Sequence, residues 1–332
     1  MLETLLAEGR PLLADGATGT NLFEAGLGAG ETPELWNVEQ PEKIRALHQS
    51  FVDAGADIIL TNSFGGNRRR LMLHKLETRV HELNRLAAEI AHSVTDKAGR
   101  PVVVAGSVGP TGDLLAPLGP LTEDEAVEVF VEQIEGLKAG GAEVVWIETM
   151  SAPEEIRAAA RAAIAVGMPY TVTASFDTAG RTMMGLTPAA FAGFFDELEK
   201  PPLAFGANCG VGAADLLVSV LGMTEQRPGA AIIAKANAGV PQWHGAHIHY
   251  SGSPELMGLY AGLAVDSGAR IVGGCCGNKP EHVAAMRQAL DAHAAGARPS
   301  VDEIVTALGP LVAPAAAEAA APRARRRGRE SA

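Results

Sequence analysis

Cysteine is scarce: the 332 residues hold three, at positions 209, 275 and 276. An odd, small number in a chain of this size builds no disulfide framework and suits a reducing compartment. Positive charge is short too, with 27 Lys and Arg against 39 Asp and Glu and a net charge of −12. That balance argues against general binding of nucleic acid or anionic membranes, which needs a basic surface to displace counterions. No run approaches the roughly 18 to 20 apolar residues of a membrane helix. The N-terminus, MLETLLAEGRPLLADG, lacks a basic segment followed by a long apolar stretch and a cleavage site, so no secretory signal is read. Aromatic residues are only 5% of the chain, so few side chains could line an aromatic cage. The expectation is a cytoplasmic protein whose partners are small molecules, not nucleic acid or membrane.

What is present is an alternation. A composition 47% hydrophobic and 20% charged supports a large core. Eight apolar or β-branched runs predict strands at 11–17, 57–64, 101–109, 143–150, 169–176, 203–210, 230–239 and 270–277. Stretches with helical spacing separate them, at 41–56, about 68–98, 122–142, 152–167, 187–200, 212–222, 253–269 and 279–295. Several of these open on Ser or Thr with Pro and acidic residues and close on Gly, as caps and the helix dipole favour. Eight strand–helix units predict an α/β fold, a (β/α)₈ TIM barrel in one domain over residues 1–296, with a doubly wound open sheet as the alternative. Residues 297–312 read as a short C-terminal helix or linker, and the Ala/Pro/Arg-rich 313–332 as a disordered, solvated tail.

In such a barrel chemistry sits at the C-terminal ends of the strands. That rule gathers Asp15, Asn62, Ser63, Glu148, Asn208, Cys209, Asn237, Cys275 and Cys276, so all three cysteines fall on one rim. Core cysteines would scatter over helices and strands alike. Three thiolates with an open fourth position make a tetrahedral zinc site. Successive strand side chains point to opposite faces, so the adjacent Cys275 and Cys276 can share an ion only if the backbone turns there; Gly273, Gly274 and Gly277 are expected to permit it. Three sulfurs leave zinc a poor Lewis acid for making hydroxide. They suit it to holding a substrate thiolate that remains nucleophilic, which predicts transfer of a group to sulfur.

These residues resemble the zinc-dependent homocysteine S-methyltransferases, in kind closest to a bacterial betaine-homocysteine S-methyltransferase. The likeness runs over about residues 11 to 292, through DGATGTNL, AGADIILTNSFGGN, GSVGPTG, IET, GANCG, NAGVP and GGCCG. It implies that Cys209, Cys275 and Cys276 bind zinc, that Asp15 and Glu148 face the α-ammonium of homocysteine, and that amides around Gly16 and Ala17 receive its carboxylate. Ser63 and Asn208 join the homocysteine site or support its loops. Outside the resemblance, Asp15 also reads as a turn cap and Glu148 as a strand-end salt bridge. The implied reaction methylates homocysteine to methionine. With no folate or cobalamin domain following the barrel, a small cationic donor is expected, glycine betaine first. Cation recognition by aromatic faces nominates Trp36, Phe64, Trp243 and Tyr250, all in predicted rim loops. S-methylmethionine, dimethylsulfoniopropionate or a separate cobalamin protein are the alternative donors, and a zinc or redox sensor the non-enzymatic alternative. Gly65 and Thr149 stand where animal betaine enzymes carry an aromatic. His247 and His249 read as substrate-loop residues, and homo-oligomerisation stays open.

Overall fold

The computed structural model describes residues 1–244 and 247–312, with the side chains of 241–249 outside the description. All eight expected strands form, each shorter than its apolar run. In chain order they are β1 Leu12–Leu13, β2 Ile58–Leu60, β3 Val103–Val108, β4 Val144–Met150, β5 Tyr170–Ala174, β6 Ala204–Cys209 and β7 Ile232–Ala236. An antiparallel hairpin, β8 Pro241–His244 with β9 His247–Tyr250, precedes the last barrel strand, β10 Ala269–Gly274. The barrel pairings are all parallel, in the order β1-β10-β7-β6-β5-β4-β3-β2. A bridge between Ala14 and Ile58 joins the two ends of that row. The sheet is therefore a closed (β/α)₈ barrel rather than an open doubly wound sheet.

Period-two alternation divides the apolar runs between two cores. Leu12, Ile58, Val103, Trp146, Ile233 and Ile271 fill the barrel interior. Their neighbours Leu13, Ile59, Val104, Val145, Ile232 and Val272 face the helices. Burial on both faces is why each strand reads as a continuous apolar run. A short helix unforeseen in the sequence, Leu2–Ala7, adds Leu2 and Leu5 to the interior core. Arg270, near the start of β10, donates to the Leu6 carbonyl at 3.0 Å, so this helix closes the barrel at the end opposite the rim.

The helices follow their start signals. Thr122 and Glu125 form a reciprocal capping box on helix Glu123–Ala139, and Ser253 caps helix Pro254–Asp266. One helical stretch differs from expectation. Residues 68–98 form the turn Arg68–Leu71, two 3₁₀ turns at Met72–His74 and Glu77–Arg79, and only then a helix, Val80–Thr95. The break falls at Lys75, whose φ of +58° cannot continue a right-handed helix, and it leaves residues 64–76 as a wall beside the rim. Helix Val301–Leu308 docks on the barrel through the buried Ile304. The tail expected at 313–332 lies outside the described residues. Among the described residues no helix is long and apolar enough to cross a membrane.

Candidate functional site

At the C-terminal ends of the strands the barrel opens into a cavity of about 410 Å³. Side-chain parity determines what enters it. Ser107, Glu148 and Lys235 each lie two residues beyond an interior-core residue, Ala105, Trp146 and Ile233, and so form the next inward layer. All three line the cavity with the cysteines.

Cys209 is the last residue of β6 and Cys275 and Cys276 follow directly on β10. Their sulfurs all lie within 4.8 Å of one another, with 3.9 Å between Cys209 Sγ and Cys276 Sγ. Thiolates at about 2.3 Å from a tetrahedral zinc stand roughly 3.8 Å apart, so the donor set and its spacing fit the ion. The backbone that achieves this is unusual: Cys209 has φ +61°, outside the range most L-residues adopt. Of the three glycines expected to make the turn after β10, only Gly277, at φ +78°, is in the left-handed region. Gly273 and Gly274 serve close packing instead. A Cβ on Gly273 would lie 2.9 Å from that of Ala14, and one on Gly274 2.4 Å from Asn278 Cγ. The buried Asn278 amide then ties the turn down, donating to the carbonyls of Ala236 at 2.9 Å and Cys275 at 3.1 Å.

With only protons to balance them, the thiols resist ionisation. At Cys209 a hydrogen bond with Cys275 pulls the value down, but the bond with Cys276, burial and the neighbouring charge push it up to about 12. Cys276 is also pushed up to about 12, the lowering bond from Cys209 being outweighed by Cys275 and burial. Cys275 rises further, through its bond with Cys209 and burial. Three thiolates this close require a multivalent countercharge, which is what a bound cation supplies.

Beside the cysteines lies a buried charged group. Lys235 Nζ donates to Asp15 Oδ1 at 2.8 Å, both side chains being almost wholly buried. Asp15 Oδ2 also accepts from the Leu60 amide at 2.7 Å, so the expected ammonium partner is engaged inside the protein. Burial raises both the Asp15 and the Glu148 carboxyls, the lysine's charge working against it. Lys235 stays charged because the Asp15 and Glu148 carboxylates outweigh its own burial. Glu148 Oε1 accepts one bond, from Ser107 Oγ at 2.5 Å.

The other residues expected at the homocysteine site divide. Gly16 and Ala17 line the cavity, but the Ala17 amide donates to the Asn278 carbonyl at 3.0 Å. Ser63 lines it too, its hydroxyl donating to the Ser107 carbonyl at 2.8 Å. Asn208 is absorbed by the scaffold. Its Oδ1 accepts from the Thr149 amide at 2.9 Å and Thr173 Oγ1 at 2.8 Å, and its Nδ2 donates to Thr149 Oγ1 at 2.7 Å and Cys275 Sγ at 3.7 Å. That grip holds Thr149 at φ +61°, a costly conformation for a β-branched residue.

Of the four aromatics nominated for the donor, Phe64 lines the cavity, 39% exposed. Trp36 does not. It is buried among Leu22, Leu27, Ile44 and Ile90, and Lys43 Nζ already lies 4.3 Å from its ring centroid, so an apolar satellite core has claimed it. Tyr250, at the end of β9, packs on Gly277, in the turn that carries Cys275 and Cys276. The Trp243, His247 and His249 side chains lie outside the described residues.

Sequence reasoning missed Lys235 and Glu34. Lys235 had a signal, as the single charge in the strand run AAIIAKANAG, in register with Ile233. Glu34 is buried at the cavity wall, where its Oε1 accepts from the Gly65 amide at 2.6 Å and its Oε2 from Thr32 Oγ1, with no cationic partner among the described residues. Its sequence context, ETPEL, resembles any helix start.

The family model for homocysteine S-methyltransferase matches residues 12–290. Among solved structures, the homocysteine methyltransferase MmuM from Escherichia coli in its metallated form is similar at 24% identity and TM-score 0.69, over 86% of this chain and 99% of that one. Its oxidised form gives 24% identity and TM-score 0.66, over 84% and 95%. A methyltransferase from Methanosarcina mazei aligns at 13% identity and TM-score 0.53, over 85% of this chain and 93% of that one. At such identities these structures bear on the fold.

Proposed function

The chain belongs to the homocysteine S-methyltransferase family, and from that premise we propose that it transfers a methyl group from a small cationic donor, glycine betaine before others, to the sulfur of L-homocysteine, giving methionine. The observation that carries this reading is the meeting of Cys209, Cys275 and Cys276, sulfurs within 4.8 Å of one another, in one cavity with Glu148. Zinc, when held by these three sulfurs, supplies the charge that keeps an acceptor thiol ionised at neutral pH.

The chain's own residues do the rest. Glu148 takes the ammonium of the acceptor amino acid, its ring of buried neighbours making the charge-assisted bond strong. Sulfur attacks the methyl carbon in line, the bond from methyl to nitrogen breaks, and the donor departs with that electron pair as a neutral amine. Opposite charges are lost in this step, so a dry cavity favours it. For the donor's cation the site offers the Phe64 face and the buried Glu34 carboxylate, a pairing of ring and negative charge suited to onium groups. Trp36 is out of reach, so among the described side chains this pairing of a ring with a carboxylate is Phe64 with Glu34. The free thiols suit a reducing cytoplasm.

Purified zinc-loaded protein offered homocysteine with betaine, dimethylsulfoniopropionate, S-methylmethionine or methylcobalamin in turn tests both levels of the reading. Methionine from betaine without cobalamin supports it in full. Much faster turnover of a sulfonium moves the donor assignment, and turnover with methylcobalamin alone makes the chain an acceptor module. No methionine from any donor refutes the activity.

A further inference from the structure

The stretch that delivers Cys209 to the other two sulfurs is strained. It joins β6 to helix Ala213–Gln226, and Cys209 and Gly210 stand one after the other in the left-handed region, at φ +61° and +74°. Such backbone at a non-glycine residue persists only where its surroundings over-determine it. Packing from behind is incomplete: a cavity of about 10 Å³, lined in part by Cys209, Gly210, Gly212 and Asp215, leaves room there for roughly one water. Hydrogen bonds hold the stretch instead. On one side Asn237 Nδ2 donates to the Gly210 carbonyl at 2.7 Å. On the other, Asp215 Oδ2, in the first turn of the helix, accepts from the Val312 amide at 3.0 Å.

Val312 belongs to a segment that is itself anchored. Ile304, in helix Val301–Leu308, is fully buried, and Leu308 and Leu311 pack against the main core. Before them, Arg298 donates to Thr224 Oγ1 at 2.9 Å and to the Leu221 carbonyl at 2.7 Å, both in the C-terminal half of helix Ala213–Gln226. Residues 298–312 thus grip that helix towards both ends, the second time through a carboxylate close after Cys209. Bonds to an ionised acceptor are the stronger kind. None of residues 298–312 lines the cavity that holds the three sulfurs. We infer that this C-terminal segment is a strap that positions the Cys209 ligand, with Asp215 as the positioning residue through which it acts. The inference rests on the three-sulfur zinc reading given under Proposed function, and it makes a residue remote in sequence a determinant of metal affinity without any contact to the metal.

Zinc affinity of the full chain, measured by competition with a chromophoric chelator and with no substrate present, tests this. V312P deletes the amide donor, V312A keeps it, and D215A deletes the acceptor. V312P and D215A should each weaken zinc binding roughly tenfold, the low end of what losing an outer partner costs a metal site, while V312A matches the wild type. The double variant V312P/D215A should bind no worse than D215A, because one bond cannot be lost twice. Alkylation of the zinc-loaded protein by iodoacetamide, mapped by mass spectrometry, adds a readout that general loosening would not give: in both single variants the gain in modification should be greatest at Cys209. Should V312P fail to fold by circular dichroism, D215A reads the same bond from its other end. Unchanged zinc affinity in the folded variants, or a gain in alkylation shared equally by the three cysteines, makes the segment plain C-terminal packing and overturns the inference. A wild type that binds no zinc removes the metal reading itself, and this inference with it.

Discussion

Glu148 reaches the cavity because Trp146, two residues earlier on β4, points into the barrel; the residue is 7% exposed, and its carboxyl has Ser107 as its hydrogen-bond donor. Glu148→Gln keeps the shape and removes the charge. Homocysteine affinity should fall about ten- to more than a hundredfold with zinc content unchanged, measured by calorimetry and metal analysis; unaltered affinity would make Glu148 a structural residue. A second contrast lies between two aromatics. Phe64→Ala should raise the KM for the donor several-fold, for the loss of a cation–π contact worth roughly 0.5 to 2 kcal/mol. Trp36→Ala should leave that KM alone and instead cost about 3 to 5 kcal/mol of stability, since it empties a packed satellite core. At this scale the cysteines were legible because a rim rule joins residues remote in sequence. Asp15 and Asn208 were legible as rim residues but not in their contacts, because which polar atoms pair across strands depends on register. Trp36 read as a loop aromatic, since nothing local records that Leu22, Leu27 and Ile90 would close over it.

Among the elements, helix Pro41–Asp53 carries a feature with a measurable cost. His48 is buried on its inner face, and neither ring nitrogen has a hydrogen-bond partner. Burial lowers its pKa to about 4. The folded value lies below the unfolded one, near 6.5, so the neutral form is favoured by folding; this stability is complete above pH 6.5 and is lost as pH falls from there towards 4. His48→Leu removes the titration and the two unpartnered nitrogens. Urea unfolding should show the wild type losing about 2 kcal/mol more than this variant between pH 7.5 and pH 5, and equal losses would mean the imidazole is solvated. Element existence was readable from periodicity at all eight strands, because burial on two faces writes long apolar runs. The break at Lys75 was not, since a single left-handed residue inside polar, helix-favouring sequence leaves no compositional mark. Nor was helix Leu2–Ala7, since Leu2 and Leu5 have a place to bury only once the barrel interior exists.

For the whole molecule, strand order is what brings Cys209 to the adjacent pair Cys275 and Cys276, since β6 and β10 flank β7 in the ring. Replacing any one of them by Ser should lower zinc content and abolish methionine formation, while circular dichroism shows the barrel still folded; loss of the fold would favour a structural or sensing role for the ion. Homocysteine binding to the zinc-loaded protein should also release about one proton near neutral pH, read from calorimetry in buffers of different ionisation enthalpy. The most direct test of the central claim, that these three sulfurs leave one position for the sulfur of the acceptor, is X-ray absorption at the zinc edge before and after homocysteine is added. The account predicts three sulfur ligands and one lighter atom becoming four sulfurs at about 2.3 Å; a coordination shell unchanged by saturating homocysteine would contradict it.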